Sequence, residues 1–211
     1  MKTVKRLIST RIEDEPWEKF CTRIGKQTNW LRGADLSRME LQGVNLFMAD
    51  LRGANLYLAD LRGANLYFAF LQEANLELSF LREANLAYSN LQKAKLFKSD
   101  LRGIVLHSAD LRNANIREAC LHNADMRCAL LEGAELSGAD LREATLSRAS
   151  LPGVDLSRVN LHSANLSGAR LRKANLLEAD LREADLREAD LRETNIVEAL
   201  LSGAQIAGAR V

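Results

Sequence analysis

Net charge is nearly absent from this sequence, in which 29 lysines and arginines face 28 aspartates and glutamates over 211 residues. With no global field, nothing steers nucleic acid or an anionic membrane to the chain, and a polyanion mimic lacks the acidity it needs. Cysteine is scarce and odd in number. Cys21, Cys120 and Cys128 have neither framework nor metal spacing, which points to free thiols in a reducing compartment. No apolar run approaches the ~20 residues of a membrane helix. The basic start at Lys2, Lys5 and Arg6 leads through Leu7 and Ile8 into Ser9, Thr10 and Arg11, which interrupts any signal core. These absences lead us to expect a cytoplasmic protein. Catalytic constellations are missing too: no serine has a base-and-orienter partner visible in the sequence, and no glycine-rich turn opens a helix.

What is present is a period. From Leu31 to Val211 a large aliphatic residue returns at every fifth position, with Ile116, Met126, Ile196, Ile206 and Val211 standing in for leucine. Two residues earlier stands a small residue, mostly alanine, as at Ala49, Ala54 and Ala59; between them comes Asn or Asp, as at Asn55, Asp60 and Asn65. A period of five fits neither the 3.6 of a helix nor the 2 of a strand, so the chain must turn at every repeat. If the small residue and the leucine point inward, each pentapeptide makes one short side of a coil and four sides make a turn. Stacked turns then pair backbone to backbone at the ~4.8 Å strand spacing. The alanines are small because a narrow tube has no room for a second large side chain beside each leucine.

The unit A-[DN]-L-x-x, written in residues 51–66 and again in 181–193 as LREADLREADLRE, resembles the consensus of the pentapeptide-repeat proteins. That resemblance implies an all-β fold, the right-handed quadrilateral parallel β-helix, a solenoid; handedness and square section come from the family and not from the spacing. The repeat domain is expected over 31–211, with about nine coils and a length on the order of 43 Å. It contains no insertion, and so none of the loops on which catalytic residues gather. Bulk at the small position, in Met39, Val44, Ile104, Val154, Val159 and Thr194, should bulge the wall locally without changing the register.

Residues 1–30 are of another kind. Pro16 suits the first turn of a helix, Asp14 or Glu15 can cap it, and Trp17, Phe20, Cys21 and Ile24 form one apolar stripe before Gly25. This N-terminal amphipathic helix is expected to cap the first coil. A helix that docks on a partner or a membrane surface is the other reading.

Residues 20 apart should stack, so the outward positions sort into columns. Every aromatic residue of the repeat lies between 47 and 97. Phe47 falls under Tyr67, and Met48 under Phe68 and Tyr88, on one side; Tyr57, Leu58, Leu78 and Phe97 fall on the opposite side. Phe70 and Phe80 also point outward. Exposed apolar surface of this kind is seldom left unused, and a protein partner is expected there. The plainer alternatives are aromatics laddering along a β-wall, or an N-terminal segment folded over one patch. A basic column of Arg62, Arg82, Arg102, His122, Arg142, His162 and Arg182 could track phosphates. Its neighbours Asp60, Asp100, Asp140 and Asp180 should neutralise it pairwise, so no nucleic acid is expected. His122 and His162 lie two coils apart, roughly 10 Å, and Cys120 and Cys128 fall on different sides, so neither a metal nor a cofactor site follows.

The last coil carries Ile196, Val197, Leu200, Leu201, Ile206 and Val211, an apolar edge that a second copy related by a twofold axis would cover. The family resemblance adds that members dimerise through their C-terminal ends. The expectation is therefore a non-catalytic scaffold or adaptor, homodimeric, with no cofactor and no membrane contact. An interior filled with leucine leaves no cleft for an enzyme. The alternative implied by the resemblance is a DNA-mimic modulator of a type II topoisomerase (gyrase), which calls for a strongly negative rod, often with projecting loops; this chain has neither.

Overall fold

The computed structural model describes residues 31–211; the helix expected around Trp17 to Ile24 lies outside the described residues. Each pentapeptide turns because its leucine carbonyl accepts the backbone N–H three residues on, at 3.0 Å from Ala54 to Leu51 and 2.9 Å from Ala59 to Leu56. The third residue of these turns has φ between 54° and 76°, the pattern of a type II turn. Leu151-Pro152-Gly153-Val154 is its plainest form, with proline fixing the second position and Gly153 at φ 67°. Elsewhere far larger residues are held in this left-handed region, Phe68 and Tyr88 both at φ 58°, at a cost of about 1–2 kcal/mol each.

Four turns complete a coil. Parallel bridges join residues 20 apart without interruption, from Asp35 with Asn55, Glu40 with Asp60, Asn45 with Asn65 and Asp50 with Phe70 to Asp190 with Arg210. Each side contributes one bridging residue, too little for a strand of ordinary length. Side one carries Leu51 and Leu71 inward, side two Leu56 and Leu76, side three Leu61 and Leu81, side four Leu66 and Leu86. Between coils, side two shows the bonding that all sides share: Leu56 N–H to the Asn75 carbonyl at 2.7 Å, Leu58 N–H to Glu77 at 3.1 Å, and Asn75 N–H to Ala54 at 2.9 Å.

The core is a column of leucine and alanine. Leu51, Leu111 and Leu171 are fully buried, as are Ala54, Ala59 and Ala64; each leucine contributes about 1.5–3 kcal/mol by leaving water. At four of the six positions where the small residue is bulkier the wall gives. The turn bond lengthens to 3.3 Å at Val44, Val154 and Val159 and 3.2 Å at Met39, against 3.0 Å at Ala54 and Ala64, but stays at 3.1 Å at Ile104 and Thr194, within the range of the alanine turns, while the bridges keep their spacing of 20. Ser79, Ser89 and Ser99 are buried at the small position, and each hydroxyl donates to the leucine carbonyl three residues back, at 2.5, 2.6 and 2.7 Å. No buried hydroxyl is left unsatisfied there.

Candidate functional site

The outward surface begins with the Asn and Asp of each repeat. Their side-chain oxygen accepts the backbone N–H two residues on, an Asx turn: Asn45 from Phe47 at 3.1 Å and Asn65 from Tyr67 at 3.1 Å. The Asn65 amide also donates to Asn45 Oδ1, one coil back, at 3.1 Å. An amide ladder thus pins the backbone directly beneath the ring column of side four.

On that side the rings form one continuous ladder. Phe47 stacks on Tyr67 at 6.1 Å and 11° between planes, and Phe68 on Tyr88 at 5.2 Å and 25°. Tyr67 meets Phe68 edge-on at 4.7 Å and Tyr88 at 5.6 Å. Contacts of this type add about 0.5–1.5 kcal/mol each beyond burial, which offsets part of the left-handed strain. The ladder still leaves Phe47 50%, Met48 48%, Phe68 43% and Tyr88 43% exposed. His107 extends it, its ring 5.4 Å from Tyr88. His107 was not singled out from the sequence, although it stands 40 residues after Tyr67 in the same column.

The other aromatic and apolar residues do not join this surface. Tyr57, Leu58, Leu78 and Phe97 lie partly buried on side two, opposite, where Lys98 Nζ sits 5.0 Å from the Phe97 ring centre. Phe70 is on side one under the Arg52 guanidinium, 6.0 Å away, and Phe80 is on side three. Eleven residues grouped by exposure and chemistry therefore divide among four sides, and Phe47, Met48, Tyr67, Phe68 and Tyr88 are those that converge.

Charged residues are organised by the same Asx turn. Asp60 Oδ1 accepts the Arg62 backbone N–H at 3.2 Å and Nε at 2.9 Å, and Oδ2 accepts the second guanidinium nitrogen at 2.7 Å. Asp100 with Arg102, Asp140 with Arg142 and Asp180 with Arg182 repeat this bidentate pair along side three, a geometry that favours the ionised carboxylate. The Arg62 guanidinium, helped by the Gln42 amide, holds the Asp60 carboxyl down at about 2 against the opposing effect of burial. Arg82, His122 and His162 follow Phe80, Cys120 and Asn160, so the basic column is neutralised at four positions, carries histidine at two, and keeps Arg82 as an arginine with no aspartate two residues before it.

Among the described residues no group of three His, Cys, Asp or Glu side chains could hold a metal ion, and no helix is long and apolar enough to cross a membrane. Cys120 and Cys128 are exposed free thiols. Inside the tube, the space among Leu91, Leu101, Ile104 and Leu111 admits no water. The last coil is the exception to core burial: the inward Ile196, Leu201 and Ile206 are 46%, 41% and 59% exposed, whereas Leu181, one coil earlier, is 1% exposed. The N–H groups of Ile196, Glu198, Leu201 and Gly203 have no backbone acceptor.

The family model described as pentapeptide repeats matches eight copies over residues 30–56, 40–77, 64–103, 89–127, 124–162 and 164–203. Among solved structures, HetL, a pentapeptide repeat protein involved in heterocyst differentiation regulation from the cyanobacterium Nostoc sp. strain PCC 7120, is 32% identical. The match covers 91% of this chain and 94% of HetL, with a TM-score of 0.63. The pentapeptide repeat protein Rfr23 from the cyanobacterium Cyanothece 51142 is 34% identical over 48% of this chain and 63% of its own, with a TM-score of 0.21. Full-length QnrB1, a plasmid-mediated fluoroquinolone resistance protein, is 17% identical over 84% of this chain and 89% of its own, with a TM-score of 0.44. No curated protein matches the sequence.

Proposed function

The chain belongs to the pentapeptide-repeat family, whose members fold as right-handed quadrilateral β-helices, and we propose that it is a non-catalytic scaffold that binds a protein partner through the aromatic ladder of side four. One observation carries this reading: bulky apolar side chains occupy left-handed turn positions at Met48, Phe68 and Tyr88, where glycine would relieve strain, and remain exposed. Ring stacking offsets part of that strain for the rod, but it gives no reason for large apolar side chains to stay this exposed. HetL, involved in heterocyst differentiation regulation, makes a regulatory binding role the natural company for this chain. The paired columns of side three speak against a DNA mimic of the gyrase-directed kind, since Asp60, Asp100, Asp140 and Asp180 are each matched by a guanidinium and the chain as a whole is close to neutral.

The finer architecture belongs to the same proposal: about nine coils, a helix from residues 1–30 over the first coil, and a homodimer through the last one. Leu31, Leu36 and Leu41 are 1–3% exposed in the first described coil, whereas the last coil is open. The test replaces Phe68 and Tyr88 by serine and compares capture of partners from the native host. Loss of capture with an unchanged far-UV spectrum supports the reading, and unchanged capture removes the ladder from it. Light scattering at micromolar concentration tests the dimer, which a monomer mass contradicts.

A further inference from the structure

Large apolar side chains are exposed on this rod mainly near the point where residues 1–30 join it. Phe47, Met48, Phe68, Phe70, Phe80 and Tyr88 all lie between residues 31 and 90, and among the described residues from 89 to 195 only Leu130 is added to them. Phe47 and Met48 belong to the coil that Leu31 opens, so the ladder of side four begins at the level of that junction. Residues 1–30 carry two apolar sets. Trp17, Phe20, Cys21 and Ile24 are the set expected to cover the first coil. Val4, Leu7, Ile8 and Ile12 are the second, at spacings of three, one and four that gather them on one helical face. From Val4 to Ile12 that face runs about 12 Å, and from Met48 to Tyr88 the ladder rises two coil steps, about 10 Å. Residues 13–30 span about 27 Å even as a continuous helix, enough to cross the end of the rod and bring the second set down side four.

We infer that residues 4–12 of this chain form a strap over the aromatic ladder of side four, with Val4, Leu7, Ile8 and Ile12 against Phe47, Met48, Phe68 and Tyr88. The inference rests on the protein-binding reading above and adds its regulation: a partner reaches the ladder by displacing the strap. Reach and length select this occupant, and charge plays no part in the choice. Phe70 and Phe80 stand on sides one and three, whereas the rings of side four touch one another at 4.7 to 6.1 Å and offer a continuous face. The 43–50% exposure of Phe47, Met48, Phe68 and Tyr88 is the uncovered state, the one open to a partner. A tethered segment meets the ladder at an effective concentration of about 1 mM. A contact with a Kd of about 0.1 mM then covers it about nine-tenths of the time, and releasing the strap tightens partner binding about tenfold.

The test uses the full chain with Cys21, Cys120 and Cys128 replaced by serine. Leu7→Cys is combined either with Met48→Cys on side four or with Arg38→Cys, the equivalent left-handed corner of the same coil on side two, and disulfide formation under mild oxidation is timed. Bridging to position 48 roughly tenfold faster than to position 38 is the expected result. Equal rates, or faster bridging to position 38, overturn the inference. In the chain with its native cysteines, Leu7→Asp with Ile8→Asp should tighten capture of the host partner about tenfold. The protein-binding reading is judged separately by Phe68→Asn with Tyr88→Asn, asparagine being chosen because it tolerates the left-handed backbone. Where that variant loses capture and Leu7→Asp with Ile8→Asp changes nothing, side four is a partner site and the strap falls. Where that variant keeps capture and bridging still favours position 48, the strap stands and the partner site falls.

Discussion

Replacing Gly53 and Gly133 by alanine separates two costs that the turns otherwise combine. Both glycines occupy the third turn position, at φ 64° and 71°. At Gly53 a new Cβ meets nothing within 4 Å, so the change adds only left-handed strain, about 1–2 kcal/mol. The stiffer unfolded chain returns about 0.4–1 kcal/mol of it, for a net loss near 1 kcal/mol. At Gly133 the new Cβ also runs into Asn113 Oδ1, with the Asn113 Cγ 3.3 Å away. The asparagine must leave its rotamer, which adds about 0.5–1.5 kcal/mol. Urea unfolding should therefore rank Gly133→Ala below Gly53→Ala. Adding Asn113→Gly should cancel the difference while leaving the backbone part, because a double-mutant cycle isolates the contact. Equal losses at the two sites, or a gain at either, would refute the assignment of the turns.

Leu111→Ala, in the centre of the fully buried column, should cost about 2–5 kcal/mol in urea unfolding, because the tube cannot collapse around the missing methyls without breaking its bridges. Asn65→Ala removes both the acceptor for Tyr67 N–H and the donor to Asn45; a loss of about 1–2 kcal/mol is expected, with Asn65→Asp recovering the part due to the turn. The Asp60 carboxyl sits at about 2 in the fold against about 4 in an unfolded chain. Its stabilisation is present above pH ~4 and lost as pH falls through ~2, so Arg62→Gln should raise the pH midpoint of acid unfolding.

The rod was legible because its inward positions obey one rule. A leucine at every fifth residue, with alanine two before it, admits only a chain that turns each time, and the columns of 20 then place Phe47 under Tyr67 by arithmetic. The role of the asparagines was less visible. Their spacing showed that they sit between two inward residues, yet nothing in it reveals that Asn65 caps a backbone N–H and bonds to the coil beneath. Gly33, Gly53 and Gly63 are residues at ease in a left-handed corner, but the corners at Phe68 and Tyr88 carry no such signal, since the stacking of neighbouring coils imposes the same φ on any residue. The candidate site was over-collected for a related reason: exposure groups Phe70 and Phe80 with the ladder, whereas the corner geometry sends them to other sides.

Partner binding by side four is tested most directly by titrating the captured host partner against three proteins: the unaltered chain, the Phe68→Asn, Tyr88→Asn variant, and a side two variant carrying Tyr57→Asn and Phe97→Asn. Unaltered affinity for the side two variant, with binding lost in the side four variant, is the predicted result. Equal affinity across all three, with each variant folded by its far-UV spectrum, would contradict it.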